Sequence, residues 1–292
     1  MPGFFTKLIY IAAYLLGMIP RRFAFTLAKI FGAIWFTVDK THRSVALGNL
    51  TTAFGGEKTP GERMRVARAA FHNLALIPFE IGWSLDMSMD DFMRHCTING
   101  QAHLRNARAK GKGVLILTLH MGNWELLPIS YRFQGFNVSM VYRPLDFKPA
   151  DRFFLQYRCR FGANPIHKKK SMRKVLDALR RKDCVGILLD QDSGLTAGVF
   201  ADFFGQPACT NKGMALMALK TGAPVVPTYL VRHGNRFEIH IEPEVPLIRT
   251  GDKERDIQEN TRQYNQVMEA IIRRYPEQWL WVHRRWKNRP PD

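Results

Sequence analysis

The 292-residue chain is poor in acidic residues, with 25 Asp and Glu against 43 Lys and Arg and a formal net charge of +18. A surplus of this size favours acidic partners such as nucleic acid, anionic lipid or an acidic protein, and it does not specify a fold. Internal repeats and low-complexity segments are also lacking, while 46% of the residues are hydrophobic. These features exclude a disordered chain, and the length allows one large α/β domain or two small ones.

Cysteine is scarce, and its spacing is unlike that of a metal site. The four cysteines are Cys96, Cys159, Cys184 and Cys209, and they form no C-x-x-C pair and no Cys/His pattern typical of a bound metal. We interpret them as reduced thiols of a chain that faces the cytoplasm. A disulfide or a metal role is the alternative.

No apolar run is long enough to cross a bilayer comfortably, but two shorter runs lie near the amino terminus. Residues 4–19 and 23–38 are 16 residues each, about 24 Å as a helix against a hydrocarbon core of about 30 Å. No small-residue cleavage site or basic leader accompanies them, so a cleaved signal peptide is not expected. Their aromatic content and basic flanks favour a membrane anchor at residues 1–40, either spanning the membrane or lying in its interface. A buried hairpin of a soluble protein is the alternative.

Beyond this segment, strand-like and helix-like patterns alternate. The predicted strands span residues 113–119, 137–142, 184–190, 223–232 and 236–243, and the last two form a hairpin. The predicted helices span residues 62–85, 123–133, 149–161, 171–182, 211–222 and 253–276. The alternation predicts an α/β fold whose central mixed sheet has parallel middle strands and is flanked by helices. Residues 190–213 are predicted to form a long loop, and loops of that length are usually functional or disordered.

Polar side chains follow three of the predicted strands at the point where each strand ends. His120 follows the first strand, Arg143 the second, and Asp190 with Asp192 the third. Ligands of open α/β sheets bind beyond the carboxyl ends of the strands. We therefore expect these side chains to share one site.

The segment HMGNWE, residues 120–125, is a candidate acid–base dyad. Glu125 is expected in the first helical turn, where it can bond the imidazole of His120 and fix which nitrogen carries the proton. The other nitrogen would then act as a general base near neutral pH. A purely structural hydrogen bond is the alternative. His233 and Glu238 have the same spacing and lie around a predicted turn, and we interpret them as a surface pair without a catalytic role.

A metal site offers a different interpretation of the same strand ends. Asp190 and Asp192 are candidate ligands beside His120, although no second His lies at metal spacing. Cys209 is a conceivable nucleophile, but the sequence shows no His–Cys arrangement around it. These alternatives stay open at this point.

Three further features are candidates for ligand contact. Arg143 fits phosphate or carboxylate, since a guanidinium grips either with two hydrogen bonds; an ion pair with Asp146 is the alternative. Lys212 follows Asn211 at a predicted helix start, where an anion is stabilised, though Asn211 could be only a cap. The tail, residues 277–290, interleaves Trp with Arg, which suits nucleic acid, lipid head groups or an acidic protein. A helix that packs its Trp side chains inward is the alternative.

These segments together resemble the bacterial late acyltransferases of lipid A biosynthesis, the lauroyl and myristoyl transferases of the glycerolipid acyltransferase superfamily. The resemblance covers nearly the whole chain. It rests on RSVALGNLTTAF (43–54), HMGNWE (120–125), VYRP (141–144), DQDSG (190–194), VFADFFG (199–205), APVVP (223–227) and PEQWLWVHRRWK (276–287). One departure is Gly55, which stands in a predicted loop where the family often has Pro.

The resemblance implies an O-acyltransferase that moves a fatty acyl chain from acyl carrier protein to a hydroxyl of a lipid A precursor, without cofactor, metal or acyl-enzyme. It implies that His120 deprotonates the hydroxyl and that Glu125 orients and charge-stabilises the imidazole. It also implies that Arg143 holds a phosphate or sugar acid of the acceptor, and Asp190 and Asp192 lie in a segment that matches the family. With Asn123 and Lys212, these are the predicted substrate-binding residues. The implied architecture is a glycerolipid-acyltransferase-like domain at 41–292 on the anchor at 1–40, in the inner membrane with the active site on its cytoplasmic face.

The expected partners are therefore acyl carrier protein, an anionic glycolipid and the membrane, all of them acidic, and no nucleic acid. An enzyme of the same superfamily acting on a phosphoinositol mannoside, a lysophospholipid or an aminoacyl lipid is the nearest alternative. A basic nucleic-acid-binding protein is an alternative of another class, and it predicts no role for His120. A metal hydrolase is a third.

Overall fold

The computed structural model describes residues 3–169 and 171–290. The helices within them are α1 (Phe4–Gly17), α2 (Arg21–Val38), α3 (Lys40–Phe54), α4 (Pro60–Ser84), α5 (Met89–Arg94), α6 (Gln101–Ala109), α7 (Leu127–Phe133), α8 (Lys148–Arg160), α9 (Ser171–Arg180), α10 (Gly213–Thr221) and α11 (Lys253–Arg274). The strands are β1 (Cys96–Asn99), β2 (Val114–Thr118), β3 (Val138–Tyr142), β4 (Ala163–His167), β5 (Cys184–Leu188), β6 (Gly198–Phe203), β7 (Gln206–Asn211), β8 (Val225–His233) and β9 (Arg236–Ile241).

A seven-stranded sheet in the order β1-β9-β8-β2-β5-β3-β4 forms the centre of the protein. Neighbouring strands are parallel except for the β8–β9 hairpin. Every residue of β2 is buried, as expected of a central parallel strand that helices cover on both faces. The predicted α/β class, with a mostly parallel central sheet between helices, is confirmed.

Several elements differ from their predictions for local reasons. The predicted loop at 190–213 contains the β6–β7 hairpin, which turns through Phe204 and Gly205, both with positive φ. The predicted helix at 123–133 begins instead with a 3-10 turn at Trp124–Leu126, and α7 follows it. Strands β1 and β4 were not predicted, because they are short edge strands of mixed polarity.

The tail is not a helix. After a 3-10 turn at Pro276–Gln278 it runs irregularly into the core and buries all three of its Trp side chains. Arg285 is buried with them and donates to the Cys209 carbonyl oxygen at 3.0 Å and to Thr210 Oγ1 at 2.6 Å. Asn49 Nδ2 of α3 donates to the carbonyl oxygens of Trp281, at 2.7 Å, and His283, at 2.6 Å. The interpretation of the tail as a ligand surface is therefore wrong for its three Trp side chains and for Arg285, which are buried. The alternative of inward-packed Trp side chains is confirmed, but the segment is irregular and not the helix that this alternative assumed.

Helices α1 and α2 pack on α4 and leave an apolar face outward. Close approach of α1 and α4 needs Gly82, because a Cβ there would lie 2.0 Å from the Ala13 carbonyl oxygen. The exposed side chains of this outer face include Phe4, Phe5, Leu8, Ile11, Leu15, Phe23, Ile30, Phe31 and Ile34. Among the described residues, no single helix has the length and apolarity to span a bilayer; α1 and α2 reach that length only jointly, across a bend of 117°.

Candidate active site

His120 and Asp190 come together because their strands are neighbours in register. Thr118 of β2 lies opposite Leu188 of β5, so the residues two positions beyond each strand meet at the same edge of the sheet. The Asp190 carboxylate accepts two hydrogen bonds from His120: Nδ1 lies 2.8 Å from Oδ1, and the backbone N lies 2.9 Å from Oδ2. This double contact fixes both the ring and the backbone of His120.

Asp190 is a buried, ionised carboxylate. Its side chain is only 1% exposed, and Trp279 Nε1 donates to Oδ2 at 2.7 Å. Burial alone would raise the pKa of Asp190, but the charge of His120 and the hydrogen bonds from His120 and Trp279 lower that pKa to about 2. Because Oδ1 of the ionised Asp190 can only accept a hydrogen bond, the neutral imidazole of His120 must carry its proton on Nδ1.

The second ring nitrogen of His120 is therefore an acceptor that faces away from Asp190. The His120 side chain is 13% exposed, so this nitrogen has access to the surface of the protein. The amide Nε2 of Gln191 lies 3.4 Å from it, a long contact that a hydroxyl could replace. The Trp124 ring packs edge-on against the imidazole, with 4.8 Å between ring centroids. The imidazole is thus held on two sides and open on one.

The predicted hydrogen bond between Glu125 and His120 is wrong. The Glu125 carboxylate instead accepts two hydrogen bonds from Arg158 of α8, from Nε at 2.8 Å and from Nη2 at 2.6 Å. Trp124 Nε1 donates to the same carboxylate at 3.2 Å. The reason is the 3-10 turn, which packs Glu125 against α8 while Asp190 takes the imidazole. Glu125 reaches His120 only indirectly, through the ring of Trp124.

Asn123 lies behind the loop of residues 119–123 that carries His120, and its side chain is not at the surface. It is fully buried, and its Nδ2 donates to Glu80 Oε2 at 3.0 Å. Glu80 in turn accepts two hydrogen bonds from Arg232, at 2.5 and 2.6 Å. Gln278 closes the cluster by pairing with the backbone N and O of Arg232, at 2.8 and 3.0 Å. This buried network supports the loop from the side of α4 and β8.

The other predicted substrate-binding residues lie around the same sheet edge without joining the His120–Asp190 pair. Arg143 follows β3, the strand beside β5; it is exposed and lies 3.7 Å from Asp146. Asp192 accepts from Asn288 Nδ2 at 2.7 Å, and partial burial raises its pKa. Lys212 precedes α10 and donates its backbone N–H to the Ala197 carbonyl oxygen at 3.1 Å. The side chain of Asn211 accepts from the backbone N of Gly213 at 2.8 Å, although the N-cap residue of α10 is Lys212.

Sequence reasoning missed three residues of this site, namely Trp279, Arg158 and Gln191. Trp279 is 89 residues from Asp190, and no periodic pattern links the two. The signal for Arg158 was weak, because it is one of several cations on α8. Gln191 was noticed between the two aspartates at the end of the third strand, but it was not predicted to contact His120. Within the described chain, no three or more His, Cys, Asp or Glu side chains are grouped as a metal site would need.

Comparison with known proteins points to one family. Residues 1–288 match the family described as bacterial lipid A biosynthesis acyltransferase. The chain is 27% identical over 272 residues to a lipid A biosynthesis acyltransferase of Haemophilus influenzae, covering 92% of this chain and 83% of that protein. It is 26% identical over 284 residues to the lipid A biosynthesis lauroyltransferase of Escherichia coli, covering 95% and 89%. It is also 25% identical over 193 residues to a phosphatidylinositol mannoside acyltransferase of Mycobacterium tuberculosis, covering 65% and 59%.

Proposed function

Because the chain belongs to the family of bacterial lipid A biosynthesis acyltransferases, we propose that it transfers a fatty acyl chain from acyl carrier protein to a hydroxyl of a lipid A precursor. Family membership supports the coarser part, an acyltransferase with a lipid A precursor as acceptor. The proposed mechanism rests on the imidazole of His120, whose Nδ1 is hydrogen-bonded to Asp190 and whose other nitrogen is open. That geometry fits a general base for a hydroxyl.

In the proposed reaction, the open nitrogen of His120 removes the proton of the acceptor hydroxyl as the oxygen attacks the thioester carbonyl. Asp190 stabilises the imidazolium that forms, through the hydrogen bond to Nδ1 at 2.8 Å. The tetrahedral oxyanion then collapses, the carbon–sulfur bond breaks, and the imidazolium returns the proton to the leaving thiolate. A positioned general base of this kind contributes about 10²–10⁴-fold to the rate.

We propose that Asp190 is a positioning residue and not a substrate ligand, because its carboxylate is buried and its hydrogen bonds go to His120 and Trp279. Glu125 keeps a role in this proposal, but an indirect one. With Arg158 it holds the indole of Trp124, and that ring packs against the imidazole. Loss of Glu125 should therefore lower activity by letting His120 move.

For substrate binding, the exposed guanidinium of Arg143 is the strongest candidate. It lies at the catalytic edge of the sheet, and its ion pair with Asp146 is long, at 3.7 Å. A phosphate of the acceptor can therefore accept two parallel hydrogen bonds from the guanidinium. We expect Arg143→Ala mainly to raise KM for the acceptor, with little change in kcat. Asp192 and Lys212 remain candidates at the same edge.

The proposal places the protein at the inner membrane, with its active site on the cytoplasmic face and residues 1–40 as anchor to the domain at 41–292. Its support is the outward apolar face of α1 and α2 together with the net charge of +18. Helices bent at 117° suit a position in the interface. The charge also suits an acidic donor protein and an anionic acceptor.

A second candidate acceptor is a mannosylated phosphoinositol lipid. The similarity to the Mycobacterium tuberculosis protein, 25% identity over 193 residues, favours including it. The same base and the same thioester chemistry would serve, since only the hydroxyl differs. The lipid A precursor is preferred because the relatives that act on lipid A match a larger share of the chain.

The test is mass spectrometry of lipid products. Membranes holding the wild-type chain would be incubated with a panel of acyl carrier protein thioesters and a Kdo-modified tetra-acylated lipid A precursor. We expect one added acyl mass with wild type and none with His120→Ala. His233→Ala is the matched control, because His233 is exposed in a hairpin and paired only with Glu238, at 3.6 Å. Transfer only to the mannosylated lipid would replace the acceptor. Undiminished product from His120→Ala would overturn the mechanism.

A further inference from the structure

Beyond residue 40, the exposed large apolar side chains are concentrated at the catalytic edge of the sheet. Among the described residues these side chains are Phe133, Leu145, Phe147, Met172 and Leu195. Leu145 and Phe147 follow β3, Met172 follows β4, and Leu195 follows β5. Those three strands are parallel to β2 or joined to it through parallel neighbours, so their carboxyl ends share an edge with His120. Phe133 ends α7 at the opposite edge.

Exposed cations lie in the same segments as three of these apolar side chains, Leu145, Phe147 and Met172. We call the two sets together the catalytic rim: Leu145, Phe147, Met172 and Leu195 with the exposed cations Arg143, Lys148, Lys168, Lys169 and Arg173. The backbone N of Lys168 donates to the Tyr142 carbonyl oxygen at 2.9 Å, which holds the segments after β3 and β4 side by side. The carboxylate of Asp146 offsets one of these positive charges; its Oδ2 lies 3.7 Å from Nη2 of Arg143. The rim therefore combines exposed apolar tips with a net positive charge.

The rim is continuous with the outer face of the amino-terminal helices. Thr6 Oγ1 donates to the Pro149 carbonyl oxygen at 3.3 Å, and the ring of Tyr10 packs on Phe153 with 4.7 Å between centroids. The first turn of α1, with exposed Phe4 and Phe5, thus adjoins the start of α8, directly after Phe147. One apolar and basic surface extends from α1 to the mouth of the site.

We propose that the catalytic rim lies on an anionic lipid bilayer, with Leu145 and Phe147 in the interface, so that the site opens onto the lipid surface. Side chains that are 41% and 57% exposed in water gain by entering the head-group region, and adjacent cations gain from anionic lipid. An acidic protein would satisfy the cations, but it would not explain the continuity with α1. The inference rests on the proposed function only for its consequence, delivery of a membrane-held acceptor to His120.

The direct test places a probe on the rim in the full-length protein. In a Cys159→Ser background, Phe147→Cys and, as matched control, Phe133→Cys would be labelled with an environment-sensitive fluorophore; the other three cysteines are buried. We expect a blue shift at residue 147 on adding phosphatidylglycerol-containing vesicles, a much smaller one with phosphatidylcholine alone, and none at residue 133. No shift at residue 147 with either vesicle would overturn the proposal. A shift caused by acyl carrier protein but not by vesicles would instead make the rim a protein-docking surface.

A second measurement uses the double variant Leu145→Ser/Phe147→Ser with Phe133→Ser as its control. Because α1 and α2 are intact in both, only the contribution of the rim changes; we expect vesicle partitioning to fall about tenfold in the double variant and to stay unchanged in the control. Transfer to a vesicle-held acceptor should fall in parallel, while transfer to detergent-dispersed acceptor should not. Equal partitioning of the double variant and the control would refute the proposal that the catalytic rim contacts the bilayer. Absence of transfer by wild type in every format would refute the proposed function and leave the partitioning result interpretable.

Discussion

Replacement of Asp190 by Asn tests the proposed base most sharply, because it changes one atom of the pair. Oδ2 of Asp190 accepts from two donors, the backbone N of His120 and Nε1 of Trp279, whereas Oδ1 accepts only from Nδ1 of His120. In an Asn at this position, the amide oxygen would take the place of Oδ2 and accept from both donors. The NH₂ group would then face Nδ1 of His120. The imidazole would then have to carry its proton on the other nitrogen, which could no longer act as a base.

The expected loss is large. A wrong tautomer at an acid–base histidine lowers kcat by about 10⁴-fold, roughly 5.5 kcal/mol in the barrier. The assay is release of the carrier thiol under single-turnover conditions, with circular dichroism to verify the fold. Asp183→Asn is the matched control, because that carboxylate is also buried but lies before β5 and pairs with Arg181 and not with His120. If kcat of Asp190→Asn stays within about tenfold of wild type, about 1.4 kcal/mol, the assignment of the base is refuted.

The same variant has a pH signature in stability. The pKa of Asp190 is lowered from an ordinary value of 3.8 to about 2 in the folded protein, despite burial. The stabilisation by its charge is therefore fully present above about pH 4 and is lost as the pH falls toward about 2, a contribution of about 2–3 kcal/mol. Urea unfolding of wild type and Asp190→Asn should differ at neutral pH and converge in acid. A constant difference would contradict the linkage.

Three further outcomes follow from contacts in and around the site. Trp279→Phe keeps an aromatic ring but removes the indole donor to Asp190. The carboxylate then holds His120 less firmly, and kcat, measured by release of the carrier thiol, should fall about tenfold. An unchanged kcat would argue against this role of Trp279. Arg158→Ala leaves the buried carboxylate of Glu125 without its cation and should cost about 3–5 kcal/mol in the free energy of unfolding, measured by urea titration, with Arg158→Lys intermediate. Alkylation of the native protein, followed by mass spectrometry, should modify only Cys159, because the other thiols are buried and burial raises the pKa of each; modification of more than one thiol before unfolding would refute it.

The strand ends that form the candidate site could be predicted from the sequence, whereas the side-chain hydrogen bonds within the site could not. His120 and Asp190 could be expected at one edge, because parallel apolar runs that end in polar residues place those residues together. Their hydrogen bond could not be foreseen, since it depends on the order of strands and not on spacing along the chain. Glu125 was paired with His120 by nearness in sequence, and the 3-10 turn that separates them has no pattern of its own.

The tail shows the same limit from another side. Its Trp and Arg side chains suggested a ligand surface, yet the three Trp side chains are buried and Arg285 is enclosed with them. Composition alone does not distinguish a basic aromatic surface from a basic aromatic core, because the difference lies in distant partners such as Thr210 and Asn49. By contrast, the outward face of α1 and α2 was expected, since two apolar runs so close together exceed what a small hairpin can cover.

The hydrogen bonds of Asn49 to the tail join groups 232 and 234 residues apart, and they have a consequence for the order of events in folding. Closing so long a loop is slow, because chain entropy is lost before the contact is gained. The irregular segment that carries Trp279 past Asp190 should therefore settle among the last parts of the chain. The helices and the sheet can be native while the imidazole still lacks its final orientation. On refolding, the far-ultraviolet spectrum should therefore recover before the thiol-release activity does.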